Sequence, residues 1–169
     1  RSDHAGTPSR VDAHENSTLL AIPMPADVGF LFAQQVARSL LPELAGEEWG
    51  HITMLYLGRV PERHIAEVQR IAVETVAAFH AEWEGEPVFV EAIRLGHFLP
   101  ASSGSARRPL PIVLEYHAYG LRQLQDLLTR ALAHRIAVPQ FPIFRPHATV
   151  GYLGRPLTPQ ESASLLQVP

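Results

Sequence analysis

A nine-residue internal repeat is the feature that most constrains how this chain can fold. Residues 51–59 read HITMLYLGR and residues 147–155 read HATVGYLGR, so six of the nine positions are identical. Each copy follows a predicted helix and loop, and each precedes a predicted helix start that contains proline. Self-similarity of this kind indicates two related lobes, each of which contributes one strand with the same chemistry.

Strand geometry orients the residues of the repeat, because side chains in a strand alternate between two faces. His51 and Thr53 share one face, and His147 and Thr149 do the same in the second copy. In a regular strand the other positions, most of them apolar, lie on the opposite face: Ile52, Met54, Tyr56, Ala148, Val150 and Tyr152. We expect the two tyrosines among them to pack in the core.

Two histidines and two threonines suit the cleavage of a phosphodiester. Histidine titrates near neutral pH, so one ring can activate the attacking oxygen as a base while the other protonates the leaving oxygen. Each threonine hydroxyl can donate a hydrogen bond to a non-bridging phosphate oxygen. A metal site is the alternative use of two histidines, but neither motif contains the Asp or Glu that would complete one.

The rest of the chain predicts an α+β protein with helices packed outside the sheets. Residues 1–16 are polar and predict a flexible tail, and residues 17–169 predict a single domain. Thr158 and Glu161 have the spacing of a helix capping box. Strands are predicted at 17–24, 50–57, 87–99, 110–116 and 141–153, helices at 26–41, 61–81, 119–136 and 158–166, and a loop at 100–109.

Composition excludes several classes of function. The net charge is −3 with neutral histidine, which argues against a long nucleic acid held through many phosphates. The absence of cysteine excludes disulfides and thiolate chemistry. No run of about 18 apolar residues and no signal peptide is visible. We therefore expect no membrane association, a cytoplasmic location and a monomer.

The repeat resembles the signature of the two-histidine (2H) phosphoesterase superfamily, which includes the bacterial RNA 2',3'-cyclic phosphodiesterases once called 2'-5' RNA ligases. That signature is two copies of His-x-Thr/Ser followed by an apolar residue. Here the copies are His51-Ile52-Thr53-Met54 and His147-Ala148-Thr149-Val150. One such tetrapeptide is weak evidence, whereas two of them within a repeat are strong evidence.

The resemblance implies a bilobal, pseudo-twofold fold in which two antiparallel sheets line a central cleft. It also implies that His51, Thr53, His147 and Thr149 form the catalytic site without a metal or any other cofactor. Family members act on 2',3'-cyclic RNA ends, ADP-ribose cyclic phosphate, 2'-5' oligoadenylates, 3'-terminal oligouridine and cyclic oligonucleotide signals. The acidic pI of about 6.3 favours small nucleotides among these substrates, although RNA ends stay open.

Five further residues are candidates for substrate binding. Arg145 lies two residues before His147 and could contact a phosphate, and Trp49 lies two residues before His51 and could stack on a base. His97 and Phe98, before the predicted loop, and Tyr116, at a strand end, could line the cleft. Ordinary roles compete with two of these: a solvated strand arginine for Arg145, and packing at the interface of the two lobes for Trp49.

The leading hypothesis is a metal-independent phosphodiesterase that hydrolyses 2',3'-cyclic phosphates of small nucleotides or RNA ends. An enzyme that degrades cyclic or 2'-5'-linked oligonucleotide signals is one alternative. A non-catalytic module that binds a nucleotide or RNA is another, and a structural domain of a larger polypeptide is a third. The pattern does not distinguish which histidine is the acid and which the base.

Overall fold

The structure, a computed structural model, describes residues 18–24, 28–84, 88–98, 109–138 and 143–167. The predicted tail at 1–16 and nearly all of the predicted loop at 100–109 lie outside these residues. The elements follow in the order β1 (Thr18–Pro23), α1 (Val28–Leu40), β2 (Ala45–Gly46), β3 (His51–Gly58), α2 (Glu62–Glu82), β4 (Val90–His97), β5 (Leu110–Ala118), α3 (Leu121–Ala133), β6 (His147–Leu153) and α4 (Pro159–Leu166).

The described strands form one antiparallel sheet in the order β1-β3-β6-β5-β4, and the short β2 also pairs with β6. The second motif strand, β6, is therefore central. It pairs with β5 on one side, and on the other side with β3 at Ile52↔Ala148 and with β2 at Gly46↔Gly151. This order brings the two copies of the repeat onto neighbouring strands.

The expectation of two separate antiparallel sheets needs correction, because β3 and β6 join the two halves into one. Their recorded pair, Ile52↔Ala148, connects the same position of the two repeats. Antiparallel pairing of equivalent positions places a local twofold axis between the strands. The predicted α+β class and the pseudo-twofold relation of the motif strands are present.

The helices pack on one face of the sheet, where the core lies. Ile52 and Ala148 point to that face and are fully buried, with 1% and 0% exposure. The strongly amphipathic α3 presents a leucine stripe to this core, as the i, i+3, i+4 spacing of its apolar residues predicts. Its buried stripe is Leu121, Leu124, Leu128 and Leu132. The opposite face of the sheet carries the polar half of each motif.

The predicted elements match the observed ones, with ends shifted by at most three residues where the structure describes them, except that the strand predicted from residue 141 begins only at His147. The capping box of α4 is confirmed: Glu161 N donates to the Thr158 side chain at 3.2 Å, and Thr158 N donates to the Glu161 carboxylate at 2.8 Å. The two-residue β2 was not predicted, because it is too short to show any period and exists only through its pairing with β6.

Candidate active site

The two His-x-Thr pairs lie side by side at the middle of the sheet. Continuing the antiparallel register from the Ile52↔Ala148 pair places His51 across from Thr149 and Thr53 across from His147. All four motif side chains are half-buried, whereas the residues between them are buried on the helix face. A phosphate lying over this pair of strands would meet one histidine and one threonine from each half.

Backbone carbonyls hold both imidazole rings in the same way. His51 Nδ1 bonds to the carbonyl of Trp49 at 3.3 Å, and His147 Nδ1 bonds to the carbonyl of Arg145 at 2.7 Å. A carbonyl can only accept, so each Nδ1 carries the proton and each neutral ring keeps its Nε2 lone pair free. The contact from residue i to residue i−2 thus fixes the tautomer needed for acid–base work at Nε2.

His147 has the more enclosed environment of the two motif histidines. The Phe98 ring meets its imidazole edge-on, with ring centroids 4.6 Å apart, and the Arg145 guanidinium lies 5.1 Å above the same phenyl ring. Burial lowers the pKa of His147 below its ordinary value of 6.5; the nearby charges of Arg145 and His51 act in the same direction. The carbonyl of Arg145 and the Glu115 carboxylate oppose this shift without reversing it.

Glu115 is a site residue that the sequence did not single out. It pairs with His147 across β5 and β6, so it points to the motif face. Arg145 Nη2 donates to its Oε1 at 2.5 Å, and Arg94 donates to its Oε2 from Nε and Nη2 at 3.2 and 3.1 Å. Burial raises the pKa of Glu115, but the two arginines outweigh that effect and hold the pKa below its usual range.

Both motif strands contain a β-bulge directly after the threonine. Leu20 pairs with Leu55 and Ala21 with Thr53, which leaves Met54 as an extra residue. In the second copy the extra residue is the equivalent Val150, between the pairs Ile112↔Gly151 and Val113↔Thr149. A bulge shifts the alternation by one residue, so the side chains beyond it exchange faces.

The bulges overturn the expectation that Tyr56 and Tyr152 are core residues. Both rings lie on the same face as the histidines and are 39% and 40% exposed. Burial and, after it, the nearby Glu47 carboxylate raise the pKa of Tyr152 above its ordinary value, and an interaction with the Thr149 side chain opposes this shift without reversing it. The signal was present in the sequence, because the repeat retains a tyrosine three residues after each threonine.

Gln34 of α1 stabilises the second bulge. Its buried side-chain amide donates to the carbonyl of Val150 at 2.9 Å and to the carbonyl of Glu47 at 2.8 Å. Gly151 is needed at this point, because a Cβ there would lie 2.6 Å from the carbonyl oxygen of Ala45 in β2. The first copy of the repeat has Leu55 at the position equivalent to Gly151, and a side chain fits there because Leu55 pairs with β1 and not with β2.

The remaining predicted substrate-binding residues divide into two groups. Trp49 is 68% exposed beside His51, and Arg145 and Phe98 surround His147. His97 and Tyr116 are not on the motif face, which corrects the expectation that they line the cleft. His97 Nε2 contacts Ser162 of α4 at 3.1 Å, and Tyr116 is 4% exposed in the core, because each follows a site-facing residue by one position.

Within 18–24, 28–84, 88–98, 109–138 and 143–167, no group of three or more His, Asp or Glu side chains is placed to hold a metal ion. None of the helices that the structure describes is long and apolar enough to cross a lipid bilayer.

Two solved structures are similar to this chain. The MHV ns2 PDE domain is 17% identical with a TM-score of 0.55, over 82% of this chain and 84% of that one. TT0787 of Thermus thermophilus is 19% identical with a TM-score of 0.54, over 89% of this chain and 78% of that one. No protein-family model and no curated protein matches the sequence. The chain therefore shares its α+β fold with these two structures.

Proposed function

We propose that this chain is a metal-independent phosphodiesterase that cleaves a nucleotide phosphodiester by two-histidine acid–base catalysis. One observation supports this above all: the two His-x-Thr pairs lie on adjacent, pseudo-twofold-related strands, with both Nδ1 atoms held by carbonyls. Two structural histidines would have no need of matched tautomers and adjacent hydroxyls on an open face. The similarity to a domain described as a PDE supports the same class of reaction.

The reaction follows from the positions of the four motif residues. One imidazole takes a proton at Nε2 from the attacking hydroxyl or water, and the other donates a proton from Nε2 to the leaving oxygen. Thr53 and Thr149 donate to the non-bridging oxygens, which carry the developing charge. The lowered pKa of His147 keeps that ring neutral and favours it as the base, which leaves His51 as the acid.

The proposed substrates are 2',3'-cyclic phosphates of small nucleotides or RNA ends. The two aromatic rings near the histidines, Trp49 and Phe98, and the cation of Arg145 are consistent with a base and a phosphate. The exact substrate, a monomeric state and a cytoplasmic location stay predictions. Oligonucleotide signals with cyclic or 2'-5' linkages are the alternative substrates.

Product analysis on a substrate panel tests the proposal. The purified protein would be incubated in EDTA with 2',3'-cyclic mononucleotides, a cyclic-phosphate-ended RNA, 2'-5' oligoadenylate and cyclic dinucleotides, and the products separated by liquid chromatography. We expect turnover of one class, unchanged by EDTA, and a loss of at least about 100-fold in His51→Ala and in His147→Ala. His80→Ala, an exposed histidine on α2, is the matched control.

Three results would contradict the proposal: full activity in either motif variant, loss of activity in EDTA, or no turnover of any substrate. In the last case, tight binding of a nucleotide without product would favour the non-catalytic binding module.

A further inference from the structure

Among the residues that the structure describes, the cationic group beside His147 has no counterpart in the other half of the pseudo-twofold site. Arg94, Glu115 and His147 are in register on β4, β5 and β6 and point to the same face. The residue of β1 that pairs with His51 is Pro23, and β1 is the edge of the sheet. Within the described part of the sheet, this positive charge therefore lies on the His147 side of the histidine pair.

Glu115 holds the two arginine side chains in place but does not use all of their N–H donors. It accepts two N–H bonds from Arg94 and one from Arg145, fewer than two guanidinium groups can donate. The described residues offer these two side chains no other hydrogen-bond acceptor, and their side chains are 46% and 45% exposed. Glu115 is ionised, because the arginines lower its pKa, so the three groups together carry a net positive charge.

The neighbouring residues keep this arrangement rigid. Gly96 leaves space for the carboxylate, since a Cβ there would lie 3.0 Å from Glu115 Oε1. The Phe98 ring contacts both the Arg145 guanidinium and the His147 imidazole. Long side chains held in one orientation lose less entropy when they bind an anion. A single arginine would be enough to neutralise Glu115, so the second one leaves surplus donors.

We propose that Arg94 and Arg145, anchored on Glu115, form a subsite for a second phosphate next to the one that is cleaved. This inference rests on the proposed function and narrows its substrate class to nucleotides with at least one flanking phosphate. The Cα of Arg94 lies two strands, about 10 Å, from that of His147. Glu115, which both guanidinium groups contact, lies one strand spacing of about 5 Å from His147, so a phosphate next to the one that is cleaved can reach the arginines.

Binding measurements can test the subsite without any turnover. Isothermal titration calorimetry would compare nucleoside 3'-monophosphates with the matching 3',5'-bisphosphates, for each RNA base. We expect the wild-type protein to bind the bisphosphate about tenfold more tightly. Arg94→Met should abolish this preference, because it keeps the aliphatic stem and removes the donors. Arg94→Lys should retain part of it through its charge.

Arg70→Met is the matched control, because Arg70 is also half-exposed and paired with a carboxylate, Glu74, but lies on α2. It should leave the preference unchanged. Equal binding of the two probes by the wild type, binding of neither, or a preference that survives in Arg94→Met would overturn the subsite. These probes contain no phosphodiester, so a failure of the proposed hydrolysis would leave this measurement decisive on its own.

Discussion

At the scale of single residues, the site depends on how each histidine is held. The Nδ1 contacts to the carbonyls of Trp49 and Arg145 repeat the same i to i−2 geometry in both halves, so the tautomer is built into the backbone. The surroundings of the two rings differ. His147 lies against Phe98 and near one positive charge, that of Arg145, and one negative charge, that of Glu115. Identical motifs thereby come to lie in different electrostatic surroundings.

The pH dependence of activity should report the environment of His147. Burial first, and then the positive charges of Arg145 and His51, lower the pKa of His147 below 6.5. A base must be neutral, so kcat/KM should stay high as the pH falls through 6.5 and decline only at the lower folded-state pKa. This decline is the acidic limb of the pH–rate profile, which kinetics over a pH series and an NMR titration of His147 would measure.

Substitution of the two charged neighbours of His147 should move the acidic limb of the pH–rate profile in opposite directions. Arg145→Gln removes a positive charge that lowers the pKa of His147, so the limb should move to higher pH. Glu115→Gln removes a negative charge that raises the pKa, so the limb should move to lower pH. Shifts in the same direction, or none, would show that the charges do not act on the catalytic base.

Tyr152 should act on the reaction through Thr149. The Tyr152 phenol interacts with the Thr149 side chain and so limits the orientations of its hydroxyl, and Tyr152→Phe should therefore lower kcat several-fold with little change in KM. A double-mutant cycle with Thr149→Val separates this role from simple packing. Tyr152→Phe should have almost no further effect when the threonine hydroxyl is already absent; additive losses would contradict the coupling.

At the scale of the secondary-structure elements, the bulge after each threonine shapes the motif strands. Met54 and Val150 occupy equivalent positions and stay on the buried side, while the tyrosines beyond them turn to the motif face. The bulged backbone has groups that the ladder does not satisfy. In the second half, Gln34 on a neighbouring helix bonds to one of them, the carbonyl of Val150.

Removing the Gln34 amide should therefore destabilise the fold around β6. Gln34→Leu removes this donor from the carbonyls of Val150 and Glu47, at a cost of about 1 kcal/mol in the free energy of unfolding, because the Val150 carbonyl keeps its bond from Glu47 N. Urea unfolding followed by circular dichroism measures the change. Gln35→Leu, at the adjacent and exposed position of α1, is the control and should change stability little. Equal effects of the two substitutions would show that the bridge has no energetic role.

At the scale of the whole molecule, two related halves form a site whose two ends differ in chemistry. The equivalent positions Trp49 and Arg145 supply an exposed aromatic ring in one half and a cation in the other. The strand β4 adds Arg94 on the cationic side only. A substrate with a base at one end and phosphates at the other would fit this polarity in one orientation.

Trp49 should bind the nucleobase by stacking. Trp49→Ala should raise KM about tenfold and leave kcat nearly unchanged, because stacking of this kind is made equally in the ground and transition states. Nucleotide binding should quench tryptophan fluorescence in the wild type and not in Trp49→Phe. The remaining Trp83 packs between Phe79 and Tyr119 and serves as the internal control. A quench that persists in Trp49→Phe would contradict the assignment.

The sequence by itself determined the elements that depend on local information. Periodicity predicted each long helix and strand, the spacing of Thr158 and Glu161 predicted the capping box, and the repeat predicted two equivalent strands with a His-Thr face. These features follow from alternation, helical period and side-chain chemistry within a few residues of each other. They were sufficient to identify the four motif residues as the candidate site.

Only the tertiary structure decided what depends on contacts between distant segments. The pairing of β3 with β6 made one sheet of two, and the bulges placed Tyr56 and Tyr152 on the motif face. Glu115 is separated from Arg145 by 30 residues and from Arg94 by 21, and only the strand register brings them together. A bulge and a register are properties of two paired strands, so no single stretch of sequence contains them.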